Sequence, residues 1–140
     1  EVEIIPQTMP PFPWHFGGQS LHNLFVNYKQ ISNFCKKYDY RICLDISHTK
    51  LYCNYNDISF NKFLAEVKKY VAHLHISDAL GSDGEGLEIG EGDIDFKSLS
   101  LILKKYFSKI SFIPEVWQGH KNNGSGFWKA LNFLDKNNIL

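Results

Sequence analysis

The amino-acid sequence predicts an α/β fold built on a parallel sheet, and three observations lead there. Four short apolar runs alternate with four helical patterns. No low-complexity linker or long charge run divides the 140 residues, so 1–140 reads as one domain. That length suffices to bury roughly two-thirds of the unfolded surface. Strand and helix in alternation imply right-handed crossovers, either in an open three-layer sandwich or in half of a (β/α)8 barrel.

The strands are expected at Val2 to Pro6, Arg41 to Leu44, Val71 to Ile76 and Ile110 to Val116. Each run is short and apolar, as a strand covered on both faces requires. Pro6 and Pro114 should sit near strand ends, because proline cannot donate to a ladder. Tyr28, Ile31, Phe34, Cys35 and Tyr38 keep a helical spacing, as do Phe60, Phe63, Leu64, Val67 and Tyr70. Phe96, Leu99, Ile102, Leu103 and Tyr106 mark a third helix that Asp95 can cap. Phe127, Trp128, Leu131 and Leu134 mark a fourth, starting near Ser125.

Composition excludes several functions. Apolar residues make up 44% and aromatic residues 15%, too many for a disordered chain. Fifteen Lys plus Arg offset fifteen Asp plus Glu, so no basic stripe awaits a phosphate backbone and nucleic acid is not the expected partner. Three cysteines, Cys35, Cys43 and Cys53, lack metal or disulfide spacing and fit free thiols in a reducing, cytoplasmic compartment. No run reaches the roughly 20 apolar residues of a membrane span. Glu1 opens the chain without an initiator Met, and an excerpt of a longer polypeptide is expected.

In parallel α/β folds the reacting groups gather at the carboxyl ends of strands. Here the expected strands end at Gln7, at Asp45 with His48 three residues on, at His75 with Asp78, and at Glu115. Asp, His and Glu arriving from separate strands are the mixed ligands that hold a divalent Mn, Mg, Co or Zn ion with positions open for substrate. Each has a plainer reading. Asp45 alone is most often a cap or turn former. His73 and His75 are expected to point to opposite faces, one of them a core histidine. Glu115 lies in an apolar strand, where a carboxylate needs a cation or a donor.

Gly81 to Gly86 and Gly90 to Asp93 are too glycine-rich for regular structure and read as a loop, either a plain connection or a lid with glycine hinges. There is no P-loop and no Gly-x-Ser-x-Gly elbow. Trp14, His15, Trp117 and His120 follow strand ends, and aromatic faces with imidazole donors suit a polyhydroxylated ligand, although the tryptophans serve packing equally well.

Four segments taken together resemble a known family: Leu44-Asp45-Ile46-Ser47-His48, Val71 to Asp78 with its His-x-His-x-x-Asp, Ile89-Gly90-Glu91-Gly92-Asp93-Ile94-Asp95-Phe96, and Ile113-Pro114-Glu115. In order, they look like the C-terminal half of the xylose isomerase-like TIM barrels, in particular the sugar phosphate isomerases and epimerases. A finer likeness is to the module associated with sialic-acid-type synthases. The resemblance implies an α/β, TIM-barrel-type fold of about four β-α units. It implies a sugar isomerase or epimerase that abstracts a proton next to a carbonyl while a divalent metal stabilises the enediolate. Asp45, His75 and Glu115 match the last three of the family's four metal ligands. Glu115 also matches a catalytic carboxylate, and His48 matches a second histidine that contacts substrate or another metal. Asp78, Trp14, His15, Trp117 and His120 are then candidate substrate contacts.

Two departures qualify these expectations. Gln7 occupies the place of the first ligand, commonly Glu; an amide can ligate a metal weakly but cannot abstract a proton. The likeness also covers only half a barrel, so an N-terminal half or a second copy is expected to complete it. The alternatives are a carbohydrate-binding or regulatory module that lost turnover, and a metal-dependent endonuclease of the same superfamily. Zero net charge argues against the endonuclease.

Overall fold

The computed structural model describes residues 2–13 and 22–139. Its main sheet has three parallel strands in sequential order, β1 (Ile42–Asp45), β2 (Val71–Ile76) and β5 (Ser111–Pro114). Asp45 is the register partner of His75, and His75 of Ile113. The expected first strand is the main correction. Val2 to Pro6 are not in a strand, and Val2 and Ile4 are 93% and 74% exposed. The chain joins the sheet a few residues later, through a parallel bridge between Gln7 and Cys43. There Cys43 N donates to the Pro6 carbonyl and Thr8 N donates to the Cys43 carbonyl, both at 3.0 Å.

The helices follow from caps and stripes. Helix α1 (Tyr28–Tyr38) starts where Asn27 accepts from the amides of Lys29 and Gln30, and it buries Ile31 and Cys35. It stops at Asp39, whose φ of 56° is left-handed. Helix α3 (Phe60–Val67) buries Phe63, Leu64 and Val67 and ends in a 3-10 turn, Lys68–Tyr70. Helix α4 (Phe96–Tyr106) is capped by Asp95, as expected. Helix α5 (Lys121–Lys136) opens irregularly, with left-handed Asn122, Asn123 and Gly124, so its regular turns begin at Ser125.

Helix α2 (Ile46–Tyr55) has no counterpart in the expected pattern. It buries Ile46, Ser47, Thr49, Leu51, Tyr52 and Cys53, so it carries no polar stripe to mark a period. The glycine-rich segment also contains more structure than expected, a short antiparallel hairpin of β3 (Asp78–Leu80) and β4 (Gly84–Leu87).

One core joins sheet and helices: Ile42, Leu44, Leu74 and Ile76 pack with Ile31, Phe63, Leu64, Val67, Leu99 and Leu103. The intervening strand residues Cys43, Asp45, His73, His75, Ser111 and Ile113 alternate to the other face, where Ile113 is 44% exposed. His73 and His75 therefore share a face, contrary to expectation. Their rings stand 5.4 Å apart, because residues two apart on a strand point the same way. An α/β fold with a parallel sheet and five helices among the described residues is that of a partial TIM barrel.

Candidate metal and substrate site

Three strand ends place Asp45, His75 and Glu115 side by side, His75 in the middle because β2 lies between β1 and β5. One ligand atom from each lies within 4.8 Å of the others. The Nδ1 of His75 is 2.6 Å from Oε2 of Glu115 and 3.7 Å from Oδ2 of Asp45. The shorter contact is poorly directed for a hydrogen bond, and the buried Nδ1 has no other hydrogen-bond partner. The pair is thus held by charge more than by a directed bond.

Asp45 is 1% exposed and does two things. Its Oδ1 accepts from His48 N at 2.8 Å and caps α2, so the plainer reading of this residue is also satisfied. Its Oδ2 accepts from Gln7 Nε2 at 3.1 Å and faces His75. Burial, and next to it the Glu115 charge, push the Asp45 carboxyl well above its usual range despite the bond from His48. Glu115 moves the other way, down to about 2, chiefly through its contact with His75. Burial alone would lower the His75 ring, but contact with Glu115 and the charges of Glu115 and Asp45 outweigh it and raise the ring.

The donor set fits a divalent cation. A buried imidazole nitrogen without a hydrogen bond and two carboxylates converge from adjacent strand ends, hard and borderline ligands together. Asp45, His75 and Glu115 would hold the ion. Gln7 would join them through its amide oxygen only after the amide turns, since its Nε2 now faces Asp45.

A cavity of about 620 Å³ opens over Asp45 and Glu115. Gln7, His48, Trp117 and His120, all singled out in the sequence, line it too. So do residues that the sequence did not single out, notably Glu85, Gln118 and Lys121. The alternation Gly84-Glu85-Gly86, with one charged side chain between two glycines, was the available signal for Glu85. Asp78 requires a correction. It is 0% exposed, and its carboxylate accepts from the amides of Ala79, Gly90, Gly92 and Ile94, at 2.8 to 3.2 Å. It fastens the loop behind the cavity and does not face a substrate. Trp14 and His15 lie outside the described residues.

The comparisons with known proteins bear on the fold and the family. The family model of the xylose isomerase-like TIM barrel matches residues 1–137, so the chain belongs to that family. Among solved structures, the chain is similar to one titled a D-tagatose 3-epimerase-like protein, with a TM-score of 0.70 and 20% identity. The match covers 97% of this chain and 46% of that one, so this chain spans about half the length of its structural neighbour. No curated protein matches the sequence.

Proposed function

We propose that this chain carries the metal-binding and substrate-binding side of a sugar isomerase or epimerase. The observation that carries the reading is the convergence of Asp45, His75 and Glu115 within 4.8 Å, with Asp45 and Glu115 lining the 620 Å³ cavity. Membership of the xylose isomerase-like family supports it, and so does the likeness to an epimerase-like fold. The substrate class is a sugar or sugar phosphate. Trp117 offers it an aromatic face, and His120 and Lys121 offer donors at the rim.

A bound divalent ion, Mn, Mg, Co or Zn, would polarise the substrate carbonyl and so acidify the neighbouring C–H. The remaining work falls to side chains. Glu115 is ionised at neutral pH, and its carboxylate oxygen at the cavity wall is the candidate acceptor for that proton. His48 is fixed by its backbone bond to Asp45 and by Nδ1 at 2.9 Å from the Thr8 carbonyl, and it orients a substrate hydroxyl. Buried thiols at Cys35, Cys43 and Cys53 support a reducing, cytoplasmic setting. Among the described residues, no helix is long and apolar enough to cross a membrane.

The exposed inner face at Ile113 supports completion of the barrel by an N-terminal half or by a second copy. The test is incubation of the metal-loaded protein in D2O with a panel of ketohexoses and their phosphates, D-tagatose included, followed by proton NMR. Loss of a carbon-bound proton signal next to the carbonyl is expected. Saturable sugar binding with no exchange anywhere in the panel would instead mark a carbohydrate-binding module.

A further inference from the structure

The cavity that holds Glu115 holds another carboxylate, Glu85 on β4, and the backbone fixes its place. Gly86 N donates to Ser47 Oγ at 3.1 Å, tying β4 to the first turn of α2. On the other side the Gly86 carbonyl accepts from Trp117 N at 2.6 Å. This approach requires glycine: φ at Gly86 is 69°, and a Cβ there would stand 3.2 Å from Trp117 Cβ. Glu85, with 23% of its side chain exposed, is thereby held with Oε2 at 3.5 Å from His48 Nε2.

The far side of the His48 ring decides what passes between them. Nδ1 lies 2.9 Å from the Thr8 carbonyl, which can only accept, so Nδ1 carries a hydrogen. Nε2 then turns either a lone pair or an N–H toward Glu85. Two bare acceptors at 3.5 Å would repel, so the contact is favourable when either group carries a proton. Meanwhile Gln7, a neutral amide engaged with Asp45, can neither take nor give a proton. Of the carboxylates lining the cavity, Asp45 is buried and committed to capping α2, which leaves Glu85 and Glu115.

We propose that Glu85 is the second proton-transfer residue of this site, returning a proton to the substrate carbon from which Glu115 has removed one. The inference rests on the isomerase or epimerase reading above. Glu115 takes the proton, and the C–H electron pair moves toward the carbonyl oxygen. When the carbonyl re-forms, the same carbon takes the proton from the Glu85 carboxyl group. Glu85 ends as carboxylate and Glu115 as acid, and one proton exchanged with water restores both. Burial first, and the Glu115 charge after it, hold Glu85 above the usual carboxylate range against the pull of His48, which suits an acid.

Two measurements on metal-loaded wild type, Glu85→Gln and Glu115→Gln test this. In D2O with D-tagatose, wild type should both exchange the carbon-bound hydrogen and form the epimer. Glu85→Gln should keep the exchange, with Glu115 returning deuterium to the same side, while epimer formation falls at least about 100-fold. Equal loss of both, or loss of neither, overturns the assignment. If wild type exchanges nothing with this probe, the isomerase reading fails for it, and Glu85 is then judged by the ring 15N signals of His48 at fixed pH, with Asp45 and Glu115 unchanged. A shared proton predicts that Glu85→Gln moves the Nε2 signal and leaves Nδ1 in place. An unmoved Nε2 overturns the pairing.

Discussion

The imidazole of His75 stands between two carboxylates that come from the strands on either side of it, 2.6 Å from Glu115 and 3.7 Å from Asp45. Parallel register alone produces this, because Asp45 and His75 are Cα partners and Glu115 N bonds the Ile76 carbonyl one step beyond the β5 ladder. When protonated, the ring sets a positive charge between the two carboxylates.

That arrangement has a pH signature in the metal-free protein. Glu115 is lowered to about 2, so its contribution to stability is present above the ordinary 4.5 and lost as pH falls toward 2. His75 is raised above 6.5, so its contribution is present below 6.5 and lost as pH rises through the higher folded value. Urea denaturation of wild type against Glu115→Gln should give the largest difference between about pH 4.5 and 6.5, narrowing on both sides. A difference that does not vary with pH would show that the contact is not ionic.

Asp78 predicts a stability effect without a ligand role. Replacing it by Ala strands four amides, and each hydrogen bond to a charged group contributes about 1.5 to 3 kcal/mol, so a loss of at least about 3 kcal/mol is expected. Hydrogen exchange at Gly90 and Gly92 should rise with it. Protection unchanged at these two amides would contradict the assignment.

Asn27 joins two helices. It caps α1, and its Nδ2 donates to the Tyr52 hydroxyl of α2 at 2.8 Å. Asn27→Ala should lower unfolding free energy by about 1 to 2 kcal/mol, measured by urea titration, and Asn27→Asp should retain most of the cap.

Much of the fold was legible because periodicity and caps spoke together. Tyr28 to Tyr38 and Phe96 to Tyr106 carry an apolar stripe, the second behind the capping Asp95, and both are helices over those residues. Helix α2 was hidden because it is buried on several sides, although the Asp45 cap was visible. The β3–β4 hairpin was hidden because its strands are only three and four residues long, with glycines where an apolar alternation would mark a strand. Asp45, His75 and Glu115 could be singled out because strand ends converge by topology. Glu85 had only its place between two glycines as a signal, because it reaches the cavity through hairpin contacts between residues far apart in sequence.

Gln7 gives a graded test of the site. Gln7→Glu would place a second carboxylate against Asp45, so the metal-free variant should be less stable than wild type. Its metal affinity should be tighter, since a charged ligand replaces an amide. Equal affinities would put Gln7 outside the ligand set.

The most direct measurement is calorimetric titration of Mn2+ into the metal-free protein, wild type against His75→Ala and Asp45→Asn. Wild type should bind one ion per chain at the convergent site, and each variant should weaken binding at least about 100-fold, since even residues that only orient ligands cost 10- to 100-fold. Binding of equal strength in all three proteins, or none in wild type, would contradict a metal centre at Asp45, His75 and Glu115.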